Sequence, residues 1–339
     1  MRDSGSNGAH LREVSNANSQ QSVSAFAPSS NVSEQAIDIR RALKEGMATL
    51  RASRVPSHTL AAELLLMHAL GRDRTWMYTH AEALLESAET EKYYALIARR
   101  AAGEPTQYLT GKQEFWGLEF EVTHAVLIPR PETEHVMEVA LARLGPRGLK
   151  IHMDTGLPRE KLLVADVGTG SGCLAISLAY ELPHADVFAI DISEAALEVA
   201  RRNATRHALA ERINFVQADL LAPFLRPSLT TSPSPLPFDL IVSNPPYVAS
   251  NEADQLQREV RYHEPREALF GGPTGVEIYA RLIEQAGTLL RSGGILVLEL
   301  GYNSAEHVRA ILTEQNGWTN VTFTNDLAGI PRAAAADRI

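Results

Sequence analysis

The chain reads as an α/β protein: a parallel sheet with helices on both faces, preceded by a small helical bundle. Three observations predict this. From about residue 162 onward, short apolar runs alternate with helical stretches, the pattern of parallel strands joined by crossover helices. Between about residues 33 and 103, apolar residues recur only at helical spacing. The first strand of the later region runs directly into a cluster of glycines, as strand-to-helix ligand loops do.

In chain order, residues 1–32 are rich in Ser, Asn, Gln, Ala and Gly and too poor in large apolar side chains to offset ordering entropy, so a disordered tail is expected. Asp3, Glu13 and the scarcity of Arg argue against a transit peptide. Residues 33–110 are assigned to a helical recognition domain. Ile39, Leu43, Met47 and Leu50 form one stripe. A second helix opens at Pro56-Ser57, carries Leu60, Leu64, Leu65, Met67 and Leu70 and stops at Gly71. A third runs from about Ala88 to Ala102 with Tyr93, Tyr94, Leu96 and Ile97. These stripes read as bundle core. Residues 111–135 are assigned to a β-hairpin and hinge, the hairpin formed by Leu118–Val122 and Ala125–Ile128. Pro129-Arg130-Pro131-Glu132-Thr133-Glu134 closes it; Glu132 or Thr133 is placed to cap the next helix. The sheet domain is assigned to 136–339, with strands at Leu162–Val167, Asp186–Ile190, Ile213–Gln217, Phe238–Ser243 and Gly294–Leu300 and two short ones in the tail from Trp318. Residues 146–160 read as a surface excursion and 226–237, rich in Pro and Ser, as a flexible insertion.

Composition narrows the function. The 339-residue chain is 45% hydrophobic, enough for cores, yet no apolar run reaches the roughly 18 residues that span a bilayer, and the opening residues carry no secretory h-region. The single Cys173 excludes an internal disulfide framework and suits a reducing compartment, so a cytoplasmic protein with no membrane association is expected. No Cys or His spacing suggests a metal. A net charge of −9 weighs against direct nucleic-acid binding, where phosphate contacts supply most of the affinity, and favours a protein or small-molecule substrate.

Two motifs carry chemistry. Phe238-Asp239-Leu240-Ile241-Val242-Ser243 leads into Asn244-Pro245-Pro246-Tyr247, where consecutive prolines stiffen the turn and leave carbonyls that no ladder uses. Asn244 and Pro245 can accept the two protons of a planar NH2 group while Tyr247 stacks on its plane. An ordinary strand exit would also use Asn and Pro. The second motif is Asp166-Val167-Gly168-Thr169-Gly170-Ser171-Gly172-Cys173, at a strand end and helix start. A dinucleotide fingerprint requires Gly where Cys173 stands. The spacing instead suits an amino-acid end, with Asp166 toward an ammonium and backbone N–H groups toward a carboxylate, which points to S-adenosylmethionine ahead of NAD. Cys173 is expected to pack at the helix start. Asp191, 19 residues past Gly172, is placed for ribose hydroxyls or as an N-terminal acid of the helix after Ser193. Asp219 and Leu220 are placed for the adenine amino group and ring. Strands one and four flank the switch point, so the glycine loop and the Asn244 turn are expected to share one crevice, and Asn244 is counted with the cofactor residues as well.

With these residues in place, the chain resembles the S-adenosylmethionine-dependent amino-group methyltransferases, a Rossmann-like fold. Ile128-Pro129-Arg130-Pro131-Glu132-Thr133-Glu134, Gly103-Glu104-Pro105 with Gln107-Tyr108, and Glu264-Pro265 with Ala268-Leu269 and Gly271-Gly272 make it similar to the PrmC/HemK family. The match runs from about Ala36 to Arg332. Members methylate the glutamine of the Gly-Gly-Gln motif in class I peptide chain release factors, the proteins of translation termination. The resemblance implies that Gly168, Thr169, Gly170, Ser171, Gly172 and Asp191 bind cofactor and that Asn244, Pro245, Pro246 and Tyr247 hold the glutamine amide. Leu220 stands where many members carry Trp or Phe. Arg130, Glu132 and Glu134 are candidates for shaping the substrate site or for hinge salt bridges. Two other functions remain open to the sequence: an N6-adenine methyltransferase acting on DNA or RNA, which needs the same turn, and a cofactor-binding interaction protein without activity.

Overall fold

The structure, a computed structural model, describes residues 37–145, 162–225 and 238–339, and these belong to one unit running from Ile37 to Ile339. The expected tail, surface excursion and Pro/Ser-rich insertion lie outside the described residues.

The helical region holds α1 (Ile39–Ala52), α2 (His58–Leu70), α3 (Arg74–Thr79), α4 (Ser87–Ala101) and α5 (Thr106–Thr110). Asp38 starts α1 by accepting from Arg41 N–H at 2.7 Å, and Asp73 starts α3 in the same way through Trp76 N–H. Gly71, in the left-handed conformation, ends α2. Ile39, Ala42 and Leu50 pack on Tyr93, Leu96 and Ile97. A Cβ at Gly46 would lie 2.0 Å from the Tyr93 hydroxyl, so only glycine lets α1 and α4 approach this closely. The α2 face differs from the expected stripe. Ala61, Ala62, Leu65 and Leu66 are buried, whereas Leu60 is 46% exposed. A helix with leucines on every side gives periodicity little to choose between.

The hairpin also differs from expectation. Its strands are β1 (Lys112–Phe115) and β2 (Leu118–Glu121), joined through Trp116 and Gly117, both at positive φ. Ala125–Ile128 joins no strand. Val126 and Ile128 are buried instead against Tyr108, Ala196 and Val199, which reproduces strand-like alternation without a ladder. The true first strand, Lys112-Gln113-Glu114-Phe115, is polar at three of its four positions and shows no apolar alternation.

After α6 (Glu134–Leu144) the chain forms β3 (Leu162–Val167), α7 (Cys173–Glu181), β4 (Ala185–Asp191), α8 (Glu194–Arg206), β5 (Ile213–Gln217), β6 (Phe238–Ser243), β7 (Val248–Ala249), α9 (Arg258–His263), β8 (Phe270–Gly272), α10 (Glu277–Leu289), β9 (Leu290–Glu299), α11 (Ala305–Glu314), β10 (Trp318–Asn325) and β11 (Pro331–Arg338). Seven of these strands make one sheet in the order β10-β11-β9-β6-β3-β4-β5. β9, β6, β3, β4 and β5 are parallel neighbours, and β11 is antiparallel to both β9 and β10.

Each central strand sends alternate side chains to two separate cores. Val164, Leu240, Val242, Ile295 and Val297 join Val136, Met137 and Leu174 on one face. Ala165, Ile241, Leu296 and Leu298 join Tyr279, Leu282 and Ile283 on the other, as does Phe238, which stands before the irregularity in β6. Burial on both faces is why these strands read as continuous apolar runs. The chain steps outward from β3 through β4 to β5 and then returns to the other side of β3 as β6. The switch point therefore lies between β3 and β6.

Candidate active site

Asn244 follows β6 directly, and β6 is hydrogen-bonded to β3 on one side and β9 on the other. Ser243 Oγ donates to Val167 O at 2.6 Å, tying the two strand ends together. A Cβ at Gly168 would sit 3.8 Å from Asn244 O, so the glycine loop and the turn are neighbours at the switch point. Glycines press on the back of the turn. A Cβ at Gly271 would lie 2.4 Å from Pro246 O, one at Gly275 2.5 Å from Tyr247 O, and one at Gly301 2.7 Å from Tyr247 Cδ2. The first two contacts are to backbone, which has no freedom to move aside.

The side chains of the turn are held by a chain of polar contacts. Asn244 Nδ2 donates to Thr133 Oγ1 at 3.1 Å, and Thr133 Oγ1 donates to Glu299 Oε2 at 2.5 Å. Tyr247 OH reaches Glu299 Oε1 at 3.4 Å, and Tyr279 OH donates to the Glu299 carbonyl at 2.8 Å. Burial pushes the Glu299 carboxyl up to about 7, against the bonds from Thr133 and Tyr247, which pull it down. Among the described residues nothing donates to Asn244 Oδ1 or to the Pro245 carbonyl. Thr133 occupies the N-cap position of α6, but its side chain bonds no backbone there. Its hydroxyl serves the turn instead of capping the helix.

In the glycine loop, Gly168, Gly170 and Gly172 all have φ between +55° and +83°. Open space stands where a Gly170 side chain would be, whereas one at Gly172 would strike Ile176 and Ala200. Asp166 is fully buried. Its Oδ2 accepts from Thr169 Oγ1 at 2.6 Å and Ala175 N–H at 3.0 Å, while its Oδ1 is left without a partner. Burial raises its carboxyl to about 7, with the Asp191 charge adding a little. Asp191 accepts from Gly170 N–H and from Ser193 N–H, each at 2.9 Å, so it braces the loop and the start of α8 at once; burial raises its pKa too. Thr169 and Ser171 are buried in the loop's own scaffold. An orphaned carboxylate oxygen beside a side-chain-free backbone at a helix start fits a ligand with an ammonium and a carboxylate, as S-adenosylmethionine has. Cys173 packs against the core beneath the loop.

The other expected residues are less central. Asp219 lies just past β5 and pairs with Arg281 of α10 at 2.6 Å, both half exposed. Leu220 follows at φ +52° and packs against the α10 side of the sheet. Arg130 is paired at 2.5 Å with Glu264, whose side chain is 1% exposed and also accepts from Ile128 N–H. Glu264-Pro265 thus locks the Arg130 loop. Glu134 accepts from Trp116 N–H and fastens the hairpin turn. Glu132 is half-buried, close enough for its charge to raise the Glu299 pKa. Sequence reasoning missed Glu299, Gly275 and Gly301. Glu299 carried the same signal as Asp166 and Asp191: an acid at the carboxyl end of an apolar strand.

Residues 41–111 match the model of the PrmC N-terminal domain, and residues 159–329 match that of a methyltransferase domain. The release factor glutamine methyltransferase of Koribacter versatilis is 44% identical over 294 residues, covering 87% of this chain and 96% of its own. The protein of that name from Chlorobaculum tepidum is 44% identical over 270 residues, covering 80% of this chain and 87% of its own. That of Moorella thermoacetica is 41% identical over 300 residues, 88% of this chain and 98% of its own. The glycine loop and the Asn-Pro-Pro-Tyr turn meet at the switch point of a methyltransferase sheet, and the likeness extends through the helical region; the chain belongs to the release factor glutamine methyltransferase family.

Proposed function

We propose that the protein transfers a methyl group from S-adenosylmethionine to the side-chain amide nitrogen of the glutamine in the Gly-Gly-Gln motif of class I release factors. The observation that carries this reading is the pair of unclaimed acceptors, Asn244 Oδ1 and the Pro245 carbonyl, on a turn braced from behind by glycines. When bound, S-adenosylmethionine supplies an electrophilic methyl group on its sulfonium. The protein's own part is to hold and aim the acceptor.

An amide nitrogen is a weak nucleophile because its lone pair is delocalised into the carbonyl. Two acceptors take its two N–H bonds in this arrangement, which orients the remaining lone pair toward the glycine loop. The same acceptors favour positive charge growing on nitrogen as the nitrogen–methyl bond forms and the methyl–sulfur bond breaks. One N–H proton then passes to solvent, and the neutral N-methyl amide is left. Tyr247 packs on the amide plane, its ring held by Gly301. Asp166 Oδ1 would receive the cofactor's ammonium, the loop N–H groups its carboxylate and Asp191 its ribose, with Gly168, Thr169, Gly170, Ser171 and Gly172 shaping the cradle. Asp219 and Leu220 border the adenine. Arg130 and Glu132 line the approach, Arg130 by keeping its loop in place. Acting in translation termination, the protein works in the cytoplasm on a protein partner. Among the described residues no helix is long and apolar enough to cross a membrane.

Asn244→Ala tests the grip. Transfer to a release factor is expected to fall by about a hundredfold or more, with the dissociation constant for S-adenosylmethionine changed by no more than about threefold. Single-turnover transfer with a parallel calorimetric titration reads both. Undiminished transfer would remove Asn244 from this role.

A further inference from the structure

Glu299 and Thr133 hold the side chains of Asn244 and Tyr247 by hydrogen bonds. Both are buried, each 2% exposed, and they join the ends of three separated segments: the loop before α6, the turn after β6 and the end of β9. We propose that the Glu299 carboxylate, acting through the Thr133 hydroxyl, fixes which end of the Asn244 amide faces the acceptor, so that both are positioning residues for methyl transfer. This inference rests on the reading of Asn244 as the acceptor of a substrate N–H.

Hydrogen-bond inventory decides the polarity. An ionised carboxylate can only accept, and a hydroxyl has one proton to give. With Glu299 ionised, the Thr133 proton is committed to Oε2, so Thr133 Oγ1 can only accept from Asn244. Asn244 must then turn Nδ2 inward and Oδ1 outward, which is the arrangement present. Tyr247 commits its phenolic proton to Glu299 in the same way, through the other carboxylate oxygen. A protonated Glu299 relaxes the constraint. It can donate to Thr133, whose own proton is then free to bond Asn244 Oδ1 in a flipped amide. The flipped amide would present NH2 to the substrate's NH2, donor against donor, and the grip would be lost.

The groups around Glu299 make it titratable within a useful range. Arg130 lowers its pKa and Glu132 raises it, both from the loop before α6; Tyr247 after β6 bonds its carboxylate, Tyr279 of α10 bonds its backbone carbonyl, and Cys173 of α7 feels its charge. Arg332 at the start of β11 interacts with Glu132 and Tyr247. Burial dominates, and the carboxyl titrates near 7. The ionised, correctly poled form therefore gains population as pH rises through neutrality.

The test uses the full chain, a purified release factor and saturating S-adenosylmethionine, which holds cofactor binding constant across pH. Wild-type kcat is expected to rise between pH 6 and 8. Thr133→Val, which keeps shape but leaves Asn244 Nδ2 unsatisfied, should lower kcat by about tenfold to a hundredfold, with KM and cofactor affinity changed no more than about threefold. Thr133→Ser, which keeps the hydroxyl, should recover at least about a third of the wild-type rate. Glu299→Gln should lose the rising limb, since it no longer ionises. A Thr133→Val kcat equal to wild type, a Thr133→Ser rate as low as that of Thr133→Val, or an acid limb that persists in Glu299→Gln would overturn the inference. Absence of glutamine methylation by the wild-type protein is a separate outcome, because it overturns the reading of the reaction itself.

Discussion

Asp166 shows how one residue's environment decides its chemistry. It sits at the end of an apolar strand, keeps one oxygen bonded to its own loop and leaves the other without a partner. Its carboxyl, raised to about 7 by burial, resists ionisation until a cation arrives. In the cofactor-free protein the folded state holds this proton more tightly than the unfolded chain, so stability declines as pH rises from the ordinary carboxylate range through about 7. With the proposed contact between Asp166 and the cofactor's ammonium, affinity is expected to move the opposite way, strengthening over the same window as the carboxylate forms. Calorimetric titration of S-adenosylmethionine between pH 6 and 8 should show this rise for the wild type. Asp166→Asn should bind about tenfold more weakly and with a flatter profile. A flat wild-type profile would take Asp166 out of contact with the ammonium. That this residue, Asp191 and Asn244 stand at the carboxyl ends of strands was legible in the sequence, because an acid or amide ending an apolar run is conspicuous. Glu299 carries the same mark. It was passed over because its partners, Thr133 and Tyr247, lie 166 and 52 residues away and only the fold brings them together.

At the scale of elements, the Asn-Pro-Pro-Tyr turn is shaped as much by what lies behind it as by its prolines. β8 and the segment before α10 run so close to Pro246 and Tyr247 that glycine is required at 271 and 275. Gly271→Ala would force a methyl group against the Pro246 carbonyl and the Gly275 carbonyl, at 2.4 and 2.8 Å. Displacing backbone to relieve that overlap should cost about 1–3 kcal/mol of stability, read by thermal melting. Transfer should fall by at least about tenfold in the fraction that remains folded, through misplacement of the acceptors. Wild-type transfer in this variant would show that the turn tolerates displacement. Elements differed in how well the sequence disclosed them. β3, β5 and β6 begin and end where their apolar runs do. β1 did not announce itself, because Lys112, Gln113 and Glu114 face water or polar neighbours and the turn signal at Trp116-Gly117 is short. The buried alternation of Val126 and Ile128, by contrast, imitates a strand while serving a packed loop.

At the scale of the whole molecule, the helical region is attached to the sheet by specific contacts. Arg100 of α4, 4% exposed, pairs with Glu259 of α9 at 2.5 Å, and Tyr108 OH donates to Val126 O at 2.7 Å. Glu104 pairs with Arg99 and reaches His124, so Gly103-Glu104-Pro105 and Gln107-Tyr108 form part of this joint. Those residues stood out in the sequence as a motif, but their work as a joint depends on partners in α9 and the packed loop, which no local pattern discloses. That β3 and β6 flank the switch point was legible, because alternation of strand and helix leaves few ways to build a parallel sheet. The placement of β11 antiparallel between β9 and β10 was not, because it depends on a long-range return of the chain end. With a net charge of −9, the molecule as a whole repels a polyanion at long range.

The most direct test of the account is the identity of the methylated atom. The purified protein is incubated with labelled S-adenosylmethionine and a class I release factor, its Gly-Gly-Gln→Gly-Gly-Ala variant, DNA or RNA, and the labelled product is fragmented by mass spectrometry. The account predicts one added methyl group on the side-chain amide of the glutamine in that motif and none on the variant or on either nucleic acid. Equal labelling of the two release-factor forms, or label on the N6 of adenine, would contradict it.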